Sequence, residues 1–103
     1  MRYRLLIIAL LLVSDNAWGQ SAQVQRGRQF ALANCARCHS IDRVSPSPLP
    51  LASAFRTLHK RYPVENLEEP LAEGIVTGHS NMPEFRLDPG QITDFLAFLK
   101  SLE

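Results

Sequence analysis

Both cysteines of this 103-residue chain stand in one short run, Cys35-Ala36-Arg37-Cys38-His39. Two thiols three positions apart cannot tie distant segments together, and two are too few for the disulfide framework of small secreted folds. The length allows one domain. With 46% hydrophobic and 20% charged residues, the chain is too apolar for a disordered tail and too mixed for a collagen or a coiled coil. A formal net charge of +1 argues against a nucleic-acid partner, which calls for a clear basic excess.

The first nineteen residues differ from the rest. Met1–Arg4 carries two arginines, Leu5–Val13 is nine unbroken apolar residues, and Ser14–Gly19 ends with Ala17 and Gly19 at a small-x-small spacing. This is the pattern of a secretory signal peptide at residues 1–19, cleaved after Gly19, with Ala22 as the next candidate. A membrane anchor is the competing reading, but nine apolar residues fall short of the ~20 that span a bilayer. No membrane span is expected after cleavage. The remaining domain, residues 20–103, has 84 residues and a net charge of zero. A domain of that size buries only about 60% of its unfolded surface, so something should supplement its core.

The cysteine run supplies a candidate. C-x-x-C-H is the attachment signature of c-type haem. Two thiols at this spacing reach two vinyl groups on one porphyrin, and the adjacent imidazole is held over the iron. Attachment outside the cytoplasm agrees with the export signal. Two other readings of Cys35 and Cys38 stand beside it. A redox dithiol expects a βαβ setting, and no strand-like alternation follows the run. A structural zinc site wants four ligands, which the two thiols, His39 and a distant His59 or His79 would have to provide.

Periodicity predicts an all-α chain. Val24–Cys35 is a helix candidate, with Val24, Gly27, Phe30, Ala31 and Asn34 spaced by three and four. Ile41–Leu51 is a loop, because Pro46, Pro48 and Pro50 forbid helix and interior strand alike. Ser53–Tyr62 predicts a short helix burying Ala54, Phe55, Leu58 and Tyr62, with His59, Lys60 and Arg61 outside and Pro63 as its stop. Val64–Thr77 predicts a second helical stretch, regular from about Glu69, burying Leu67, Leu71, Ile75 and Val76 and capped by Gly78. His79–Leu87 is a loop. Asp88–Leu102 predicts the last helix: Asp88 as N-cap, Pro89 at the first helical position, Gln91 completing a capping box. Ile92, Phe95, Leu96, Leu99 and Leu102 form its buried stripe, and Phe95 or Phe98 should meet the first helix near Gly27 and Phe30.

An amphipathic helix ending in CARCH, a Met82-Pro83 pair downstream and a C-terminal amphipathic helix, in that order, resemble the small class I c-type cytochromes, monohaem electron carriers of the bacterial periplasm. The resemblance implies the cytochrome c fold, with terminal helices crossing around one covalent haem c. It implies thioethers to Cys35 and Cys38 and axial iron ligands from His39 and Met82. Met82 is 43 residues after His39, and the only other methionine is Met1. His79 is the rival sixth ligand, and an open five-coordinate iron is a further alternative. Gly27, eight residues before Cys35, matches the family's small residue at the helix crossing. A loop proline carbonyl accepts a hydrogen bond from the ligand histidine in the family, and Pro48 is the expected acceptor, then Pro50; the usual Gly-Pro pair is absent.

Two filled axial positions leave iron free only to change valence, so the expected role is a periplasmic one-electron carrier rather than an enzyme, monomeric and served by redox proteins. The alternatives are a haem subunit of an oxidoreductase complex and an open-site haem protein of ligand-binding or peroxidase type. Charge is polarised along the chain: residues 20–61 hold seven basic residues against Asp42 alone, and residues 62–103 hold eight acidic residues against Arg86 and Lys100. Such polarity can orient a carrier before contact, and Arg37, inside the haem motif, is the expected docking cation with Arg43 as a helper. The competing expectation is that folding intermixes the two halves.

Overall fold

The best-signalled helix forms where its signals stand. In the computed structural model, which describes residues 14–76 and 81–103 and side chains from Ser21 onward, three α-helices and two 3₁₀ segments make up the regular structure, with no strand among the described residues. We label the helices α1 (Ser14–Asn34), α2 (Glu68–Glu73) and α3 (Pro89–Ser101). Asp88 takes extended backbone and accepts from the Gln91 N–H at 2.8 Å, and Gln91 Oε1 accepts from the Asp88 N–H at 3.1 Å. Two donors that the first turn leaves without a partner are thus satisfied. Ile92, Phe95, Leu96, Phe98, Leu99 and Leu102 are buried as one stripe.

α1 runs ten residues further upstream than the Val24 start read from periodicity. The apolar run Leu5–Val13 lies outside the described residues, as do Gly78 and His79. α1 and α3 cross at Gly27. A methyl group on Gly27 would overlap the Asp94 carbonyl and come within 2.7 Å of Phe98 Cβ. The crossing therefore needs a residue without a side chain, which offsets glycine's helix penalty of about 1 kcal/mol. Ala31, one turn on, is fully buried. Phe30 meets Phe95 edge-on at 5.5 Å, and Phe95 meets Phe55 at 5.8 Å.

The middle of the chain departs from the expected helices. Ser53–Tyr62 winds as a 3₁₀ segment, Phe55–Lys60. In that geometry residues i and i+3 eclipse, so Phe55 and Leu58 share the inner ridge while Arg56 and His59 form the next one. His59 is consequently half-buried rather than outside, and Ala54 and Tyr62 are only half-buried. Val64–Thr77 divides into a 3₁₀ turn, Val64–Leu67, and α2. Pro70 sits in the first turn of α2, where its missing N–H costs nothing. α2 ends at Gly74, four residues before the expected Gly78, and Val76 is 81% exposed instead of buried.

Candidate functional site

The C-terminal end of α1 carries the cysteine run. The Cys35 and Ala36 N–H groups both donate to the Ala31 carbonyl, at 2.8 and 3.0 Å, and the Cys38 and His39 N–H groups both donate to the Cys35 carbonyl, at 3.2 and 2.9 Å. These shared carbonyls coil the run into tight turns that carry Cys35, Cys38 and His39 within five residues. Cys35 and Cys38 are free thiols, both half-buried. Burial pushes the Cys35 thiol up to about 11, so it is protonated at neutral pH.

His39 is held on two sides. Its Nδ1 lies 2.7 Å from the Ser53 carbonyl oxygen. A carbonyl only accepts, so Nδ1 carries the proton and Nε2 keeps its lone pair for a metal. The Phe55 ring packs on the imidazole at 4.9 Å and 34°. The acceptor is thus Ser53 and not Pro48, which is exposed, as are Pro46 and Pro50. The reason lies in the loop's path. The Leu49 N–H donates to the Cys38 carbonyl at 3.1 Å and the Phe55 N–H to the Ser40 carbonyl at 3.0 Å, so the chain crosses the motif at Leu49 and delivers Ser53 to the imidazole.

Arg56 closes this loop from within. Its Nη1 donates to Ser45 O at 2.7 Å, Ser40 Oγ at 3.2 Å and Asp42 O at 3.4 Å. Asp42 turns the loop's start: its Oδ1 accepts from the Ser45 and Val44 N–H groups at 2.6 and 2.8 Å. These bonds to Ser45, then Val44, and the nearby Arg56 charge hold the Asp42 carboxyl down to about 2. Sequence reasoning missed Ser53 and Arg56. A backbone acceptor leaves no mark in a sequence, whereas an arginine in a segment with one exposed acid was a usable signal.

Met82 is half-buried on a separate limb without regular structure that runs from Asn81 to α3. Two backbone bonds tie the limb to α2 and to Ile75 just beyond it: Ile75 N–H to Phe85 O at 3.1 Å and Leu87 N–H to Leu71 O at 2.8 Å. Phe85, three residues after Met82, meets Phe30 edge-on at 6.1 Å. An unbroken series of ring contacts therefore joins the two halves of the site: His39, Phe55, Phe95, Phe30, Phe85. The structure brings Cys35, Cys38 and His39 together and sets the Met82 limb against the same aromatic core.

The donor set suits haem c. Two reduced thiols follow each other at the right spacing, and a neighbouring imidazole has its free nitrogen fixed by a hydrogen bond on the other, the arrangement that ligand histidines adopt. The buried Nδ1 of His59, on the ridge beside Phe55, has no hydrogen-bond partner among the described residues and so is free to bond a bound group. The competing readings fare worse. Among the described residues no three His, Cys, Asp or Glu side chains converge as a zinc site requires, and no strand provides a βαβ setting for a redox dithiol.

A family model described as Cytochrome c covers residues 24–103. Neither the curated proteins nor the solved structures yield a match.

Proposed function

The chain belongs to the cytochrome c family, as a small class I c-type cytochrome with the all-α fold and covalent haem c of that family, and we propose on this premise that it is an exported one-electron carrier with His39 and Met82 as axial ligands. Haem c supplies a reversible one-electron change at iron. Cys35 and Cys38 fix the porphyrin edge to the end of α1 through two thioethers. His39 offers Nε2 to the metal while Ser53 O keeps the proton on Nδ1 and raises the ring's basicity. Met82 offers a thioether, which favours the reduced metal over a second imidazole. With His39 and Met82 both holding the metal, no position would remain for dioxygen or a substrate, and the protein would carry electrons instead of catalysing a reaction.

The observation that carries this reading is the His39 tautomer: Nδ1 bonded to Ser53 O at 2.7 Å, one residue from Cys38. Export rests on the pattern of residues 1–19. No helix among the described residues is long and apolar enough to cross a membrane. The carrier then works in the periplasm as a monomer between redox proteins.

The polarity seen along the sequence is partly cancelled by folding. Arg26 of the basic half pairs with Asp94 of the acidic half at 2.9 Å, and Arg43 reaches across to donate to the Ser101 carbonyl, whereas the Lys100–Glu65 pair at 2.6 Å lies within the acidic half. Arg37 is exposed and in no ion pair among the described residues. Arg37 remains the docking cation of this proposal, meeting an acidic partner surface beside the haem motif, while Arg43 is diverted to α3.

The axial set is tested by the sulfur-to-iron charge-transfer band in the near infrared. The oxidised protein should show it, Met82→Ala should lose it, and His79→Ala should keep it. A wild-type protein without the band would take Met82 off the iron and overturn the reading, and the band's appearance only in His79→Ala would assign the sixth position to His79.

A further inference from the structure

Helix α2 ends on Gly74, whose φ of +110° and ψ of +109° lie where residues with side chains are strained. It is the one described residue with positive φ. The Met82 limb returns at this same point. Its two backbone bonds fall on either side of Gly74, one to Leu71 in α2 and one to Ile75 just beyond the helix. Between them Glu84 lies across the glycine: a methyl group there would overlap Glu84 Oε1 and come within 3.2 Å of Cδ and 3.4 Å of Cγ. Glu84 is two residues from Met82.

We propose that Gly74 is a positioning residue for Met82, seating the returning limb flush against α2 so that the thioether is held against withdrawal. The proposal rests on Met82 being the axial ligand. The two backbone bonds hold the limb at Gly74, while the Phe85 ring on Phe30 and the Leu87 side chain in the core anchor it further on; the Glu84–Arg86 contact, at 4.0 Å, is internal to it. A side chain at 74 must either hold a strained φ or turn the end of α2, and either change tilts Ile75 and lifts the limb from its seat. Glu84 can swing away, because its carboxylate is the flexible end of a half-exposed side chain, so the backbone carries the larger share of the effect. Strain of the size such conformations carry corresponds to a roughly tenfold to hundredfold change in an equilibrium.

The test is imidazole titrated into the ferric holoprotein, read by loss of the near-infrared band as the added ring displaces Met82. Gly74→Ala should bind imidazole roughly tenfold to a hundredfold more tightly than wild type. Glu84→Ala should match wild type. The double variant should return part of the way, because the overlap is relieved and the strained φ is not. Gly27→Ala, which loosens the helix crossing and reaches the limb only through Phe30 on Phe85, should raise imidazole affinity far less than Gly74→Ala. Equal affinities in wild type and Gly74→Ala, or an equal rise in Gly27→Ala, would overturn the proposal; the second would reduce Gly74 to general stability. A missing band already in wild type would instead bring down Met82 as ligand, and the proposal with it. Should Gly74→Ala fail to accumulate, hydrogen exchange on wild type decides. Displacement of Met82 by imidazole should expose the Ile75 and Leu87 amides while Leu96 and Leu99 stay protected. Displacement that leaves Ile75 and Leu87 protected would overturn the proposal.

Discussion

The Nδ1 of His39 and the carbonyl oxygen of Ser53 stand 2.7 Å apart, across fourteen residues of chain. This hydrogen bond gives the motif its chemical sense, since it selects the tautomer whose Nε2 can bind a metal. The acceptor is backbone, so the identity of residue 53 matters only through the path of the loop. That path is held by Arg56 and Asp42 from inside and by the Leu49–Cys38 bond from the motif itself.

Gly27→Ala should destabilise the protein although alanine is the better helix former. The methyl group would overlap the Asp94 carbonyl and crowd Phe98 Cβ, so α1 and α3 must move apart. Overpacking of this kind costs about 1–3 kcal/mol, more than the roughly 1 kcal/mol gained in propensity. A lower urea midpoint with unchanged slope checks it; an unchanged or higher midpoint would mean that the helices yield freely.

Asp42 should contribute to acid stability with a definite sign. Hydrogen bonds from the Ser45 and Val44 N–H groups to its charged form hold the folded carboxyl down to about 2 from its ordinary 3.8. Its contribution is therefore complete above 3.8 and fades as pH falls toward about 2. The stability difference between wild type and Asp42→Ala should be constant at neutral pH and shrink below pH 3.8. A difference that persists unchanged down to pH 2 would assign the aspartate's role to something other than its charge.

Much of this arrangement was legible in the sequence, and the boundary follows locality. The α3 cap needed only Asp88, Pro89 and Gln91, all within one turn, and it formed as expected. The haem motif was legible because its chemistry sets its own spacing. Pro48 as acceptor failed because the loop's course depends on bonds to Cys38 and Ser40, which no local pattern encodes. The end of α2 at Gly74 in place of Gly78 has the same origin: the helix stops where the Met82 limb comes back to meet it. Val76 was expected inside on a period that α2 does not continue long enough to use.

Reversal of charge at Arg37 should slow association with an acidic redox partner and flatten its dependence on ionic strength, since steering acts mainly on the on-rate. The measurement is electron-transfer rate against salt for wild type and Arg37→Glu. Arg26→Glu is the matched comparison, because it changes the net charge equally but lies nine residues before Cys35, away from the proposed contact, and should move the salt slope less. Identical slopes in wild type and Arg37→Glu would place docking away from the motif.

Carbon monoxide binding to the reduced holoprotein tests the carrier reading most directly. With His39 and Met82 both on iron, wild type should bind no carbon monoxide at neutral pH, and Met82→Ala, with one position opened, should bind it readily. Ready binding by the wild-type protein would contradict the account and make this chain an open-site haem protein.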